Sequence, residues 1–221
     1  MADCFKRKRC KDHESWLAMR TQGIGGSDAA CILGRNPWKT NVDLWREKTG
    51  LVEQEDISEK PAVKYGHQAE GSLRRLFKLD HPELRVYYRD NEQLINKALP
   101  YLHASLDGEL TDESGRKGIL EIKTTTILQS MQKENWNNRI PDNYYLQCLH
   151  YLLVTGYEFV VLRAQLKYQY PEELKIVTRE YRIERSQVEE DMRVLLAAEI
   201  AFWEFIQRKE EPALILPPLI A

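Results

Sequence analysis

The sequence predicts an α/β fold, a central mixed sheet flanked by helices. Three observations predict it. Apolar residues recur at helical spacing towards both ends of the chain, short runs of strand character fill the middle, and a further helical pattern separates the last strands from that central group. With 221 residues and 43% hydrophobic content the chain can bury one sizeable core. A single domain over 1–221 is expected, with a basic N-terminal tail over about 1–12 and an apolar, proline-containing C-terminal tail over about 212–221.

Taken in order, residues 15–20 read as a short helix. The run Gly23-Ile24-Gly25-Gly26-Ser27-Asp28 follows; its glycines permit a tight turn, and Ser27 or Asp28 can cap the next helix. A loop feeding a helix N-terminus is also a natural anion site. Asn36-Pro37-Trp38 breaks that helix, and Thr40 can cap another that runs through Lys48 and is ended by Gly50. The acidic stretch 53–59 reads as a surface linker. Over 61–79, Val63, Ala69, Leu73, Leu76 and Phe77 recur at helical spacing behind Pro61, which a first turn tolerates.

Residues 85–89 and 92–95 read as short strands, followed by 102–110 and 118–125 as a hairpin around the turn-like 111–115. A second long helical pattern covers 143–154 and stops at Gly156. Strands over 159–167 and 175–183 and a final amphipathic helix over about 186–208 complete the order. Prolines break the apolar C-terminal tail, which could pack on the body or on a partner.

Composition excludes several classes. There is no run of eighteen apolar residues, and the first residues lack the apolar stretch of a secretory signal, so a cytoplasmic protein without a membrane partner is expected. Cys4, Cys10, Cys31 and Cys148 are scattered without the spacing of a zinc site or a disulfide framework. A net charge of −2 means that nucleic-acid contact has to come from a local patch. The run Lys6-Arg7-Lys8-Arg9-Cys10-Lys11 is one candidate, and a solvated terminal tail is the alternative. His67 and His103 lie close in sequence to acidic residues, but a hard cation prefers oxygen, and neither is assigned as a ligand. Trp38 and Trp45 could stack on bases or belong to the core.

Chemistry concentrates in Gly118-Ile119-Leu120-Glu121-Ile122-Lys123. Period two puts Glu121 and Lys123 on one face and Leu120 and Ile122 on the other. Hairpin pairing can bring Asp107, in Ser105-Leu106-Asp107-Gly108, beside Glu121. Two carboxylates sharing a site repel each other unless a cation intervenes, which suits Mg²⁺. A neighbouring ammonium can orient or help deprotonate an attacking water, or offset developing charge. The residues alone leave other readings open: Glu121 and Lys123 as a surface pair, Glu70 as an i,i+4 partner of Arg74, Tyr151 as core and Gln147 as a satisfied buried amide.

Asp107-x13-Glu121-x-Lys123 is similar to the PD-(D/E)XK nuclease signature, with Leu106 where a proline usually precedes the Asp. Together with Trp16-x3-Arg20, Gly23-Ile-Gly-Gly-Ser-Asp28, Gly66-x3-Glu70, Ser105-x-Asp107-Gly108 and Gln147-x3-Tyr151, it resembles the phage lambda exonuclease and YqaJ-type recombinase group over about residues 15–155. The resemblance implies a restriction-endonuclease-like fold that binds the ends of linear duplex DNA. It implies two Mg²⁺ ions, replaceable by Mn²⁺, held by Asp107, Glu121, the Ile122 carbonyl and Glu70, with Lys123 as the catalytic lysine and Gln147 in the site. Arg20, Ser27 and Ser105 take the positions that anchor a 5′-phosphate, chemistry that suits a bidentate guanidinium beside glycine-loop amides.

The function so implied is Mg²⁺-dependent degradation of the 5′-terminated strand of linear double-stranded DNA, leaving 3′ tails for phage-type recombination in a bacterial host. A homotrimeric ring and a single-strand annealing partner are implied with it. Two rivals stand beside it. A RecB-like or Cas4-like nuclease with an iron–sulfur cluster needs one cysteine before the nuclease motifs and three clustered after them, where only Cys148 lies. A catalytically silent DNA-end-binding module would keep the fold without the chemistry, against which the intact Asp107, Glu121 and Lys123 set argues.

Overall fold

The computed structural model describes residues 4–127, 135–169 and 173–216. The chain opens with β1 (Phe5–Arg9), α1 (His13–Thr21), β2 (Ile24–Gly25), α2 (Gly26–Ile32) and α3 (Asn41–Lys48). After α4 (Pro61–Asp80) come β3 (Arg85–Tyr87), β4 (Glu92–Asn96), β5 (Leu102–Ala104), β6 (Gly108–Thr111) and β7 (Lys117–Ile127). It ends with α5 (Asp142–Thr155), β8 (Phe159–Gln169), β9 (Leu174–Glu184) and α6 (Glu189–Arg208). Local chemistry sets several of these limits. Asp12 and Ser15 form a capping box on α1, and Thr40 with Asp43 form one on α3. Pro61 occupies the first turn of α4, and Gly156 ends α5 at φ +70°.

The strands form two mixed sheets, not one. The larger runs β3-β6-β7-β8-β9, with β7 and β8 parallel across the α5 crossover and the other neighbours antiparallel. The smaller runs β1-β4-β5-β2, its β2–β5 pair parallel. Both faces of β7 are covered. Ile119 and Ile127 join the main core with Leu149 and Leu152 of α5 and Leu195 and Phe202 of α6, while Leu120 and Ile122 pack with Leu73 and Phe77 of α4. The alternation expected for this strand is therefore present, with helices where a solvated face was the alternative.

Three expectations need correction. The single strand read over 102–110 is two strands in different sheets, and the chain crosses between sheets at 105–107. There Asp107 spends its carboxylate on the Ile122 N–H at 2.7 Å, just past the Gly108–Leu120 pair where the β6–β7 ladder stops. The basic tail is in part a strand: β1 pairs with β4, Phe5 is buried, and Arg7 reaches Glu92 at 2.8 Å and Glu109 of the other sheet at 2.6 Å. Residues 1–3 of that tail lie outside the described residues.

The glycines before α2 serve close approach rather than a left-handed turn, since neither Gly23, Gly25 nor Gly26 has positive φ. A Cβ on Gly23 would lie 2.4 Å from the Tyr101 carbonyl oxygen. The cap of α2 is Asp28, the third residue of its first turn, which accepts from the Gly25 N–H at 2.9 Å, while Ser27 faces Arg20. That helix ends at Ile32, before Gly34 at φ +64° and ahead of the Asn36-Pro37 break. Of the apolar tail, residues 213 and 215 are clasped by Asn41, and 217–221 lie outside the described residues.

Candidate active site

The sheet-to-sheet crossing at 105–107 places two candidate groups at the seam, with Ser105 on one side and Asp107 on the other. Asp107 is gripped from α4 as well, because Arg74 Nε donates to its backbone carbonyl at 2.5 Å and the same guanidinium pairs with Glu70. Glu121 projects from β7 towards α5. Its Oε1 accepts from Lys123 Nζ at 2.7 Å and from Gln147 Nε2 at 2.8 Å, and its Oε2 is buried with no hydrogen-bond partner among the described residues. Lys123 also lies over the Tyr144 ring, 5.0 Å from its centroid.

Electrostatics ties the three carboxylates into one site. Burial and then the charge of Asp107 push Glu70 up to about 7 and Glu121 up to about 8. Asp107 is itself raised by burial against the opposing pull of Lys123. Burial works to lower Lys123, but Glu121 and Asp107 outweigh it and raise it above its ordinary value. Lys123 is therefore an ammonium in the metal-free site. Among the described residues, no three His, Cys, Asp or Glu side chains form a finished ion cage. Glu70 and Glu121 are instead turned onto Arg74 and Lys123. The donor chemistry nevertheless fits a hard divalent cation: oxygen ligands only, mutually repelling carboxylates, and one buried carboxylate oxygen unsatisfied.

The phosphate-anchor candidates form a second cluster. Arg20 Nη2 donates to Ser27 Oγ at 3.0 Å, its guanidinium lies 4.7 Å from the Trp16 ring centroid, and Trp16 Nε1 donates to Ser105 Oγ at 3.2 Å. Trp16 thus joins Ser105 to Arg20 and, through Arg20, to Ser27. Ser105 and Asp107 are two positions apart, so the cluster adjoins the carboxylates. Lys48 organises the loop behind it, donating to the Gly23 carbonyl at 2.7 Å and the Arg20 carbonyl at 3.1 Å and pairing with Asp28 at 2.8 Å.

A sequence model of the YqaJ-like viral recombinase domain matches residues 15–158, which span every site residue named above. The chain belongs to that family. It is 34% identical over 207 residues to the uncharacterized protein YqaJ of Bacillus subtilis strain 168, an alignment covering 91% of this chain and 59% of that protein, so the chain spans about three-fifths of its relative. In fold it is similar to the crystal structure of an alkaline exonuclease from Laribacter hongkongensis, with TM-score 0.59, 16% identity, and 89% and 97% of the two chains covered. It is likewise similar to a phage-related exonuclease from Haemophilus somnus 129PT, with TM-score 0.56, 14% identity, and 85% and 96% covered.

In this YqaJ-like domain the structure brings Glu70, Asp107, Glu121, Lys123 and Gln147 into one neighbourhood and Arg20, Ser27 and Ser105 into another beside it. Sequence reasoning gave no role to four side chains that hold these together. Trp16 carried a signal, its four-residue spacing from Arg20 on one helical face. Arg74 carried one too, but its second bond, to the Asp107 backbone, depends on a contact 33 residues away. Lys48 and Tyr144 gave none. His103 is a buried structural residue bonded to the Pro100 carbonyl at 2.9 Å, Trp45 is core, and Trp38 is 77% exposed.

Proposed function

We propose that this chain is a Mg²⁺-dependent deoxyribonuclease that binds ends of linear double-stranded DNA and hydrolyses the 5′-terminated strand in the 5′ to 3′ direction. The observation that carries this reading is the adjacency of two sites of different chemistry: the Arg20–Ser27–Trp16–Ser105 cluster and the Asp107–Glu121–Lys123 carboxylate site, joined by the segment 105–107. An anion anchor one short step from a hydrolytic centre suits a substrate carrying a terminal phosphate next to the bond that breaks. The alkaline exonuclease of similar fold from Laribacter hongkongensis forms a complex with dAMP, a nucleotide of the kind such a reaction would release.

Asp107, Glu121, the Ile122 carbonyl and Glu70 would hold two Mg²⁺ ions, which Mn²⁺ could replace. Bound there, the metal would supply Lewis acidity and a hydroxide-like nucleophile near neutral pH. Arg20 and the Ser27 and Ser105 hydroxyls hold the 5′-phosphate, the guanidinium through paired N–H donors. Lys123 holds its proton and presents an ammonium to charge that builds on the scissile phosphate. Gln147 fixes the Glu121 carboxylate through its amide N–H.

Water oxygen bonds to phosphorus and releases a proton to solvent while the bond to the 3′-oxygen of the terminal nucleotide breaks, and that oxygen leaves to take up a proton from solvent. The phosphate stays on the next nucleotide. Each turnover therefore creates a new 5′-phosphate, so the Arg20 cluster suits stepwise removal and the growth of a 3′ single-stranded tail. The family reading extends this to recombination by strand annealing, with a homotrimeric ring, a single-strand annealing partner and a location in the cytoplasm of a bacterial host. No helix among the described residues is long and apolar enough to cross a membrane.

The deciding experiment digests a linear duplex labelled separately on each strand, with 5′-phosphate or 5′-hydroxyl ends, in Mg²⁺ or EDTA, for the wild type and Lys123→Ala. The expected result is Mg²⁺-dependent loss of the 5′-terminated strand, favoured by phosphate and abolished in the variant. Digestion from 3′ ends or within closed circles would remove the assigned polarity. Tight binding of DNA ends without digestion would replace the enzyme with a silent end-binding module.

A further inference from the structure

The two clusters are connected through the interior by Tyr151, a buried residue that the proposed reaction leaves without a part. Gly26, the first residue of α2, has no room for a side chain: a Cβ there would lie 2.5 Å from Tyr151 Cε1 and 2.9 Å from Gln147 Cγ. The helix that carries Ser27 in its first turn therefore rests directly on the Gln147–Tyr151 face of α5. On the other side, Gln147 Nε2 divides its two hydrogens between Glu121 Oε1 at 2.8 Å and Tyr151 Oη at 2.7 Å. A carboxylate only accepts, so the amide has to turn its nitrogen to Glu121, and a second acceptor on the same nitrogen holds it in that orientation. Tyr151 meets this amide with its hydroxyl and meets α2 with its ring. The ring is 5% exposed and cannot shift without repacking its neighbours.

We infer that Tyr151 is a positioning residue for both sites: its hydroxyl orients Gln147 on Glu121, and its ring sets how deep α2 and Ser27 sit. This rests on the exonuclease reading. The two halves of the side chain then have separable effects. Losing the hydroxyl disturbs the hydrolytic carboxylate and leaves the anchor in place. Moving α2 off the ring disturbs the anchor, and a Cβ at Gly26 presses on Gln147 Cγ as well.

The test measures steady-state digestion together with equilibrium binding of 5′-phosphate and 5′-hydroxyl hairpin duplexes by fluorescence anisotropy in EDTA, each protein first checked by thermal melting. Tyr151→Phe is expected to lower kcat by roughly five- to ten-fold, the scale of one lost neutral hydrogen bond. KM and the binding preference for phosphate should be unchanged, and adding Gln147→Ala should give no more loss than Gln147→Ala alone. Gly26→Ala is expected to reduce the phosphate preference several-fold. Tyr151→Leu, which withdraws the support without a clash, is the second variant should Gly26→Ala not fold.

Wild-type kcat in Tyr151→Phe, or full additivity with Gln147→Ala, overturns the hydroxyl's part. Retained phosphate preference in both Gly26→Ala and Tyr151→Leu overturns the ring's part. A wild type that prefers phosphorylated ends in binding yet digests nothing overturns the exonuclease reading instead, while its Gly26→Ala response still decides the seating of α2.

Discussion

Arg74 donates from Nε to the backbone carbonyl of Asp107 across 2.5 Å, a bond that ties α4 to the crossing between the two sheets. The same guanidinium pairs with Glu70 and lies 3.3 Å from the Tyr88 ring centroid. One cation thus holds two of the three carboxylate-bearing residues in relation to each other. Glu70 and Arg74 form the i,i+4 pair that the spacing allows, and Arg74 ties that pair to the backbone of Asp107.

Removing that brace should cost both stability and activity. Arg74→Ala deletes charge-assisted hydrogen bonds, each worth about 1.5–3 kcal/mol. The expected outcome is a loss of that order in unfolding free energy, read from urea titration, with DNA digestion down more than about ten-fold as Asp107 loses its register. Arg74→Lys keeps a charge for Glu70 but lacks the fork that also reaches Asp107, so it should recover only part of either quantity. A stable, fully active Arg74→Ala protein would show that Asp107 holds its place without α4.

The raised carboxylates predict an unusual pH response. Glu70 at about 7 and Glu121 at about 8 retain protons in the folded state that the unfolded chain releases near the ordinary 4.5. The folded state then binds more protons than the unfolded state between about pH 4.5 and 8, so stability falls as pH rises through that window. Melting in EDTA should drop from pH 5 to pH 8, and the proposed Mg²⁺ binding should restore most at pH 8, where the ligands are ionised. Glu121→Gln should flatten the slope. A melting temperature that climbs over this range in EDTA would contradict the charge arrangement.

Trp16 yields a prediction about end recognition. It meets Arg20 through its ring face and Ser105 through its N–H, so Trp16→Phe keeps an aromatic surface for the guanidinium and drops only the bond to Ser105. Affinity for 5′-phosphorylated ends should fall by about two- to ten-fold, as expected for one hydrogen bond, while Trp16→Ala should fall further by losing the cation–π contact as well. Anisotropy on phosphate and hydroxyl ends measures both. Equal affinity of Trp16→Ala and wild type for phosphorylated ends would detach Trp16 from the anchor.

The arrangement of the candidate site was legible in the sequence where chemistry and local period coincide. Glu121 and Lys123 share a strand face, Gln147 and Tyr151 share a helix face, and Thr40 and Gly156 mark real helix limits. Legibility ended where a contact depends on distant segments. A single strand over 102–110 is the natural reading of the apolar residues at its two ends, yet the chain changes sheet at 105–107, where the side chain of Asp107 bonds Ile122 and Arg74 grips its backbone. Arg7 likewise looks like part of a solvated basic run until Glu92 and Glu109 are seen opposite it. The glycines of 23–26 suggest turn freedom, whereas Tyr101 and Tyr151 press on them from elsewhere in the chain.

Asn41 supplies the last prediction. Its side chain is 2% exposed and acts as a backbone mimic, with Nδ2 donating to the Ala213 carbonyl at 2.8 Å and Oδ1 accepting from the Ile215 N–H at 2.9 Å. Ile215 in turn fills the space over Gly34, where a Cβ would come within 2.4 Å of its Cγ2. This clasp holds the tail against the turn between α2 and α3, behind the phosphate cluster. Asn41→Ala leaves two backbone groups to find water and should cost about 1–3 kcal/mol in urea unfolding. Gly34→Ala should cost a similar amount for two reasons, the crowding by Ile215 and a φ of +64° that alanine tolerates poorly. Because both substitutions release the same segment, the double variant should lose less than the sum of the two. Full additivity would mean that the tail is held by contacts independent of Asn41, and that the turn ahead of α3 keeps its shape without it.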